Sequence, residues 1–342
     1  MSTVTPIQPA AADPQTGDHS PVWQREMRRA VRSAAELCRR VELPNHLANS
    51  AAAEDFPVFA PLGYIARMRP GDVNDPLLRQ VLPVAEENQD RPGFVRDPLA
   101  EHAAALRPGL LQKYHARALI VTTAACAVHC RYCFRRHFPY DEVPKSPATW
   151  QTSIDAIAAD TSLEEVILSG GDPLTLPDRL LADLAGRLAR IEHVRRLRVH
   201  TRLPVVIPER VTDELLAWLT GSRLTPIMVI HANHAAEIDN AVERALGKLM
   251  DAGIPVLNQA VLLRGVNDRA EALIELSRRL VDLRVMPYYL HQLDPVAGAA
   301  HFEVPVEEGR RLIEAVRAAL PGYAVPRYVQ EVPGQPNKVV LM

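Results

Sequence analysis

From residue 118 to residue 319 the chain repeats one rhythm six times: a short apolar run rich in β-formers, then an amphipathic stretch long enough to cross back over a sheet. The runs are Ala118–Thr122, Glu165–Ser169, Leu197–His200, Ile227–His231, Val256–Val261 and Met286–Leu290, and helical periodicity covers 147–160, 177–191, 212–221, 237–252, 269–282 and 306–319. Parallel strands need such crossovers, so this alternation restricts the chain to an α/β fold, either an open doubly wound sheet or a partial barrel. No G-x-G-x-x-G follows any of the strand runs, which weakens a dinucleotide site. Polar residues instead stand at one strand end after another: Cys126, Ser169 to Asp172, His200-Thr201-Arg202, His231, Gln259 and Asp294. A partial (β/α)6 barrel gathers them at one mouth. Residues 1–20 hold almost no large apolar side chains and read as a disordered tail. A helical region is expected over 21–110, the barrel over 111–305 and a C-terminal helix and segment over 306–342. Within the helical region, apolar spacing predicts one helix from Trp23 to about Leu43, and prolines break 44–110 into short helices.

Charge decides which partners are worth considering. The chain has 342 residues, with 39 basic against 41 acidic side chains and no long run of one sign. That pattern offers neither nucleic acid nor a membrane surface an electrostatic footprint, and no stretch is apolar enough to span a bilayer. The N-terminus lacks a signal-peptide pattern, and three of the four cysteines crowd into eight residues, unlike a disulfide framework. A reducing, cytoplasmic setting is expected.

That cluster reads Cys126-Ala127-Val128-His129-Cys130-Arg131-Tyr132-Cys133, a C-x3-C-x2-C. Three thiolates on a short loop suit a soft metal. Structural zinc wants four ligands, and His129 and His137 are the nearby candidates for the fourth. Three cysteines without a fourth suit a [4Fe–4S] cluster with one iron left open.

The cysteine loop after the first strand, Tyr132 before its last cysteine and Gly170-Gly171-Asp172 after the second strand resemble the radical S-adenosylmethionine (radical SAM) superfamily. The resemblance implies that Cys126, Cys130 and Cys133 hold the cluster, that SAM chelates the open iron, and that Ser169, Gly170, Gly171 and Asp172 lie along SAM. Glycines would allow close backbone approach there, and the acid could face an ammonium. From about residue 60 to the end the chain further resembles the lysine 2,3-aminomutases, through Cys133-Phe134-Arg135-Arg136, the Asn258–Asp268 segment, Pro287-Tyr288-Tyr289-Leu290, Asp294-Pro295, Gly298–Phe302, Gly322–Pro326 and Pro333-Gly334 to Lys338.

Only four lysines occur, at 113, 145, 248 and 338, and the resemblance makes Lys338 the residue that holds pyridoxal 5′-phosphate (PLP) covalently. By the same resemblance Arg135 clamps the substrate α-carboxylate, Asp294 and Glu331 meet the ε-ammonium of L-lysine, Tyr114 packs on the PLP ring, Arg117 with Lys113 meets its phosphate, and His231 and Gln259 line SAM. Three features depart from the family pattern: Glu331 stands where an aspartate is usual, the stiffer Gly334-Gln335-Pro336-Asn337 replaces a glycine run, and the chain has no spare cysteines for the zinc sites of longer members. Together with short length they resemble the bacterial branch that makes (R)-β-lysine for elongation factor P and its ligase. An electron donor such as flavodoxin or ferredoxin is then implied. Two other readings stay open at this point: a radical SAM enzyme acting on another amino acid or without PLP, and a non-catalytic iron–sulfur module. Glutamate as substrate would set its carboxylate against two acids.

Overall fold

The computed structural model describes residues 20–140 and 150–342. Residues 1–19 of the expected tail, the first residues of the helix predicted at 147–160, and Lys145 lie outside the described residues. The N-terminal region carries α1 (Val22–Arg29), α2 (Ala34–Arg40), α3 (Ser50–Asp55) and α4 (Leu62–Ile65). The single helix predicted over 23–43 is thus two. Val31 leaves the helical path to exchange two backbone hydrogen bonds with Ala60, at 2.8 and 3.0 Å. Ser33 then opens α2 by accepting the Glu36 N–H. The Ser-x-x-Glu start signal sits inside an unbroken apolar periodicity, and the cap prevails because the intervening backbone finds partners elsewhere.

One sheet of ten strands, in sequential order, organises the remainder: β1 (Ala105–Arg107), β2 (Leu110–Tyr114), β3 (Arg117–Val121), β4 (Glu165–Ser169), β5 (Arg196–Thr201), β6 (Thr225–Ile230), β7 (Val256–Val261), β8 (Met286–His291), β9 (Arg327–Gln330) and β10 (Val339–Val340). β3 to β9 run parallel, neighbour to neighbour, while β1–β2–β3 and β9–β10 are antiparallel. β1 and β10 form the two edges, so the sheet is not closed into a ring. All six predicted strands are present, and the apolar run ending at Val329 supplies a seventh parallel strand. The C-terminal helix and segment, 306–342, thus continue the same sheet through β9 and β10. The β1–β2–β3 hairpins were not expected: the turn between β2 and β3 is His115-Ala116, with Ala116 in the left-handed region at φ 61°, and it carries no glycine or asparagine signal.

The crossovers are α5 (Gln151–Ala159), α6 (Asp178–Ala189), the short α7 (Leu203–Val206) with α8 (Asp213–Thr220), α9 (Asn240–Asp251), α10 (Ala270–Asp282) and α11 (Val306–Ala319). Each buries the face its periodicity marks: Leu181, Leu184, Ala185 and Leu188 on α6, and Val242, Ala245, Leu246 and Leu249 on α9. Asp239 caps α9 by accepting from Ala241 and Val242, and Thr212 caps α8 by accepting from Leu215. These helices cover one side of the sheet, leaving the ends of seven parallel strands to present loops at one mouth. Among the described residues no helix is long and apolar enough to cross a membrane.

Candidate active site

The loop that leaves β3 carries Cys126, Cys130 and Cys133, and backbone hydrogen bonds tie it down almost residue by residue. Thr122 donates to Ser169 from both N–H and Oγ1 at 2.9 Å, Gly171 N–H donates to Thr123 at 2.7 Å, and Asp172 N–H donates to Ala125 at 2.7 Å. Farther along, His129 N–H donates to Phe59 and Arg131 N–H to Gln80, each at 2.9 Å. The two glycines are needed by this contact. A Cβ on Gly171 would stand 2.3 Å from the Ala125 carbonyl oxygen, and Gly170, at φ 137°, would bring one to 2.5 Å from that of Thr123. The close approach they permit is thus between two loops of the chain itself. Gly171→Ala should force the cysteine loop off β4, costing about 1–3 kcal/mol or more. It should also lower the iron bound on anaerobic reconstitution, measured per folded monomer.

Asp172 completes the staple. Its carboxylate accepts from Thr201 Oγ1 at 2.7 Å, from the Arg202 N–H at 2.7 Å and from the N–H groups of Leu174 and Leu203. The sequence expectation was an acid facing a ligand ammonium. In the fold its oxygens are occupied within the chain, joining the ends of β4 and β5. The belt continues along the mouth: Asn233, after β6, accepts from Val261 N–H at the end of β7, and Asn267 donates to the Asn233 carbonyl.

Burial raises the Cys126 thiol well above its ordinary value, with Cys133, Asp172 and Cys130 adding to the effect, and burial with Cys130 beside it pushes Cys133 up to about 12. Thiols that hinder one another's ionisation form a donor set that a cationic centre would relieve, so the residues fit an iron–sulfur cluster. They do not fit the zinc alternative. A zinc ion wants four donors around one point, and among the described residues no three His, Cys, Asp or Glu side chains converge into a single-ion site.

A second group of charges faces the same mouth from the other strands. After β9, Glu331 pairs with Lys338, accepts from Tyr114 Oη at 2.7 Å and lies 3.6 Å from Lys113 Nζ. Burial alone would raise its carboxyl, but Lys338 and then Lys113 hold it down at about 2. Arg117 and Lys338 bring cations to 5.1 and 5.8 Å from the Tyr114 ring. Asp294, after β8, is pushed up to about 7 by burial and by Glu331. Arg135 is buried and held by Glu101, Nε and Nη2 donating to the two carboxylate oxygens at 2.7 and 2.8 Å, while Nη1 donates to Ser169 Oγ at 2.9 Å. Gln259 is half-buried on β7.

Four atoms in this group have no hydrogen-bond partner among the described residues although they are shut from solvent: Nε2 of His200, His231 and His291, and Oδ1 of Asp294. Each such orphan costs about 1–3 kcal/mol. Burial, with Lys338 near, keeps His291 neutral down to about 3, and burial with Arg202 near does the same for His231 down to about 4. A mouth holding two carboxylates, a lysine amine, an anchored guanidinium and several unsatisfied polar atoms is built to take a polar, zwitterionic ligand. The fold therefore gathers the cysteines, Ser169 to Asp172, Arg135, His231, Asp294, Glu331, Tyr114, Arg117 and Lys338 at one mouth, and it gives Gln259 no side-chain hydrogen-bond contact with them among the described residues.

Sequence reasoning missed Glu101, Glu87, Glu237 and His291. Glu101 lies in a turn and Glu87 in a single turn of 3-10 helix, both buried, and their partners are 34 and 44 residues away. His291 was visible as a polar interruption at a strand end, the same signal that singled out His200 and His231.

Residues 120–277 match the family described as the Radical SAM superfamily. The chain is 45% identical over 322 residues to the L-lysine 2,3-aminomutase of Escherichia coli (strain K12), covering 93% of this chain and 94% of that one. It is 43% identical over 320 residues to the L-lysine 2,3-aminomutase of Haemophilus influenzae, covering 93% and 95%. To the L-lysine 2,3-aminomutase of Clostridium subterminale it is 35% identical over 324 residues, covering 94% of this chain and 77% of the relative.

Proposed function

Because the chain belongs to the L-lysine 2,3-aminomutase family of the radical SAM superfamily, we propose that it is an isomerase that moves the amino group of L-lysine from Cα to Cβ. The observation that carries this reading is the pairing of a cysteine triad with two carboxylates, Asp294 and Glu331, around a lysine amine at one mouth. When bound, the cluster and SAM supply one-electron hydrogen abstraction, and PLP supplies a carbonyl for the amine and a π-system over which an unpaired electron spreads.

The chain's own residues do the rest. Cys126, Cys130 and Cys133 would ligate the cluster, and Lys338 would carry PLP, with Tyr114 against its ring and Arg117 near its phosphate. Ser169, Gly170, Gly171, His231 and Gln259 are assigned to the SAM side, with Asp172 acting through the loop it holds. Arg135 binds the substrate carboxylate with the Nη N–H that Glu101 leaves over, the anchored plane giving orientation. Asp294 and Glu331 receive the ε-ammonium. A glutamate substrate would bring a third carboxylate to these two, which disfavours it. Burial of the mouth keeps water from the reacting centre.

We extend the reading to an (R)-β-lysine product, supplied in the cytoplasm to the ligase that modifies elongation factor P, with a flavodoxin or ferredoxin as electron donor. Its support is Glu331, one methylene longer than the usual aspartate. The test is an anaerobic assay of iron-reconstituted protein with SAM, PLP, dithionite and L-lysine, followed by chiral chromatography. β-Lysine is the expected product. Formation of 5′-deoxyadenosine without β-lysine would reject lysine as substrate, and the S product would reject the stereochemical part alone.

The pH dependence follows from Asp294. With its carboxyl raised to about 7, it is neutral below that value and anionic above it. A cation prefers the anion, so the KM for L-lysine should fall by up to about tenfold per pH unit as pH rises toward 7, then level off. Steady-state KM across this range checks it, and Asp294→Asn should flatten the profile.

A further inference from the structure

Arg202, at the end of β5, stood out in the sequence among the strand-end polar residues, yet none of the roles assigned above uses it. Its backbone N–H is fixed by Asp172 at 2.7 Å, and its side chain is 7% exposed. Nη1 donates to the Cys130 sulfur at 2.7 Å. Nη2 is held on the far side by Glu237 Oε2 and Gln80 Oε1, each at 2.7 Å, and by Tyr64 Oη at 3.3 Å. The Tyr64 and Tyr132 rings flank the guanidinium at 5.4 and 5.9 Å. Glu237 is wholly buried and accepts from the N–H groups of Asn233 and His234 and from Gln80 Nε2, so the anion is as rigidly placed as the cation.

We propose that Arg202 is a positioning residue for the iron–sulfur centre, orienting the Cys130 sulfur and setting how readily the cluster accepts its electron. The inference rests on the reading that Cys126, Cys130 and Cys133 carry the cluster. A buried ion pair of this kind adds little stability over apolar side chains of the same size, so stability alone is a weak reason for the arrangement. Its polarity is specific: the guanidinium is turned toward the sulfur, and the carboxylate lies behind it. Reduction adds one electron, and so one negative charge, to the cluster, taken from a low-potential carrier protein or dithionite, with no bond made or broken. A hydrogen bond and a positive charge at a ligating sulfur favour that more negative state, and Glu237 tempers the effect.

The experiment is an EPR-monitored redox titration of the reconstituted protein without lysine, alongside iron and sulfide analysis. Arg202→Gln is expected to shift the reduction equilibrium about tenfold toward the oxidised cluster, about 59 mV for one electron. Glu237→Gln should shift it the opposite way, and Arg202→Lys, which keeps the charge, should stay within a few-fold of the unmodified protein. A purely structural role would not move two variants in opposite directions. Full cluster content with an unchanged midpoint, or with both variants moving the same way, overturns the proposal. If Arg202→Gln fails to hold iron, Glu237→Gln moving toward the reduced cluster while Arg202→Lys stays near the unmodified protein supports the proposal, and Glu237→Gln unmoved or moving the other way overturns it. Lack of any four-iron signal in the unmodified protein would instead sink the cluster reading, and this inference with it.

Discussion

Lys338→Ala is expected to lower β-lysine formation by roughly a thousand-fold or more, the scale of removing a covalent catalytic group. The fold should survive. Lys338 sits just before the two-residue edge strand β10, its side chain is about a quarter exposed, and it is ion-paired with Glu331. Lys113 lies 3.6 Å from the same carboxylate and can remain as its counter-ion, so the site keeps a cation beside Glu331. The measurement is lysine turnover by chromatography together with the visible absorbance of PLP on the folded protein, which should lose the component due to covalent attachment. Unchanged turnover would show that the chain works without PLP on this lysine, leaving the cysteine loop and the SAM chemistry untouched.

Glu87→Ala should be a strongly destabilising single change outside the hydrophobic core. Arg131 stands within the cysteine loop, between Cys130 and Tyr132, and its side chain has no exposed surface. Glu87 accepts from its Nε at 2.9 Å and from its Nη2 at 2.5 Å, and lies 3.0 Å from Arg136 Nη1. Removing the carboxylate leaves two buried guanidinium groups with backbone carbonyls and the more exposed Asp55 as partners. Breaking a buried pair in this way costs about 3–5 kcal/mol, which for a chain of this size lowers Tm by on the order of 10 °C. Thermal unfolding of the apoprotein reads this directly. Glu87→Gln should recover part of the loss by keeping the hydrogen bonds, and an alanine variant that melts with the unmodified protein would contradict the account.

Much of the architecture was legible because it is written locally. The strands at 165–169 and 256–261 and the helix at 306–319 appear with the predicted ends, since side-chain alternation and the 3.6-residue period are properties of neighbouring residues. The split between α1 and α2 was missed because a bridge to Ala60, far along the chain, released the backbone at Val31. The β2–β3 hairpin was missed because its turn uses an alanine in a conformation that sequence alone assigns to glycine or asparagine.

For the site, the chemical groups themselves were readable: three cysteines at metal-ligand spacing, a glycine pair before an acid, a scarce lysine near the end and two acids after late strands. Which groups face a ligand and which are already engaged was not. Asp172 is absorbed by the ends of β4 and β5, Arg135 by Glu101 and Arg202 by Glu237, across separations of 30, 34 and 35 residues. The sequence by itself thus determined the βα order and the inventory of reactive side chains, because both depend on residue type and short-range spacing. Tertiary structure alone decided the pairing of buried charges, because a charge removed from water takes whichever opposite charge the fold brings within reach, however distant it is along the chain.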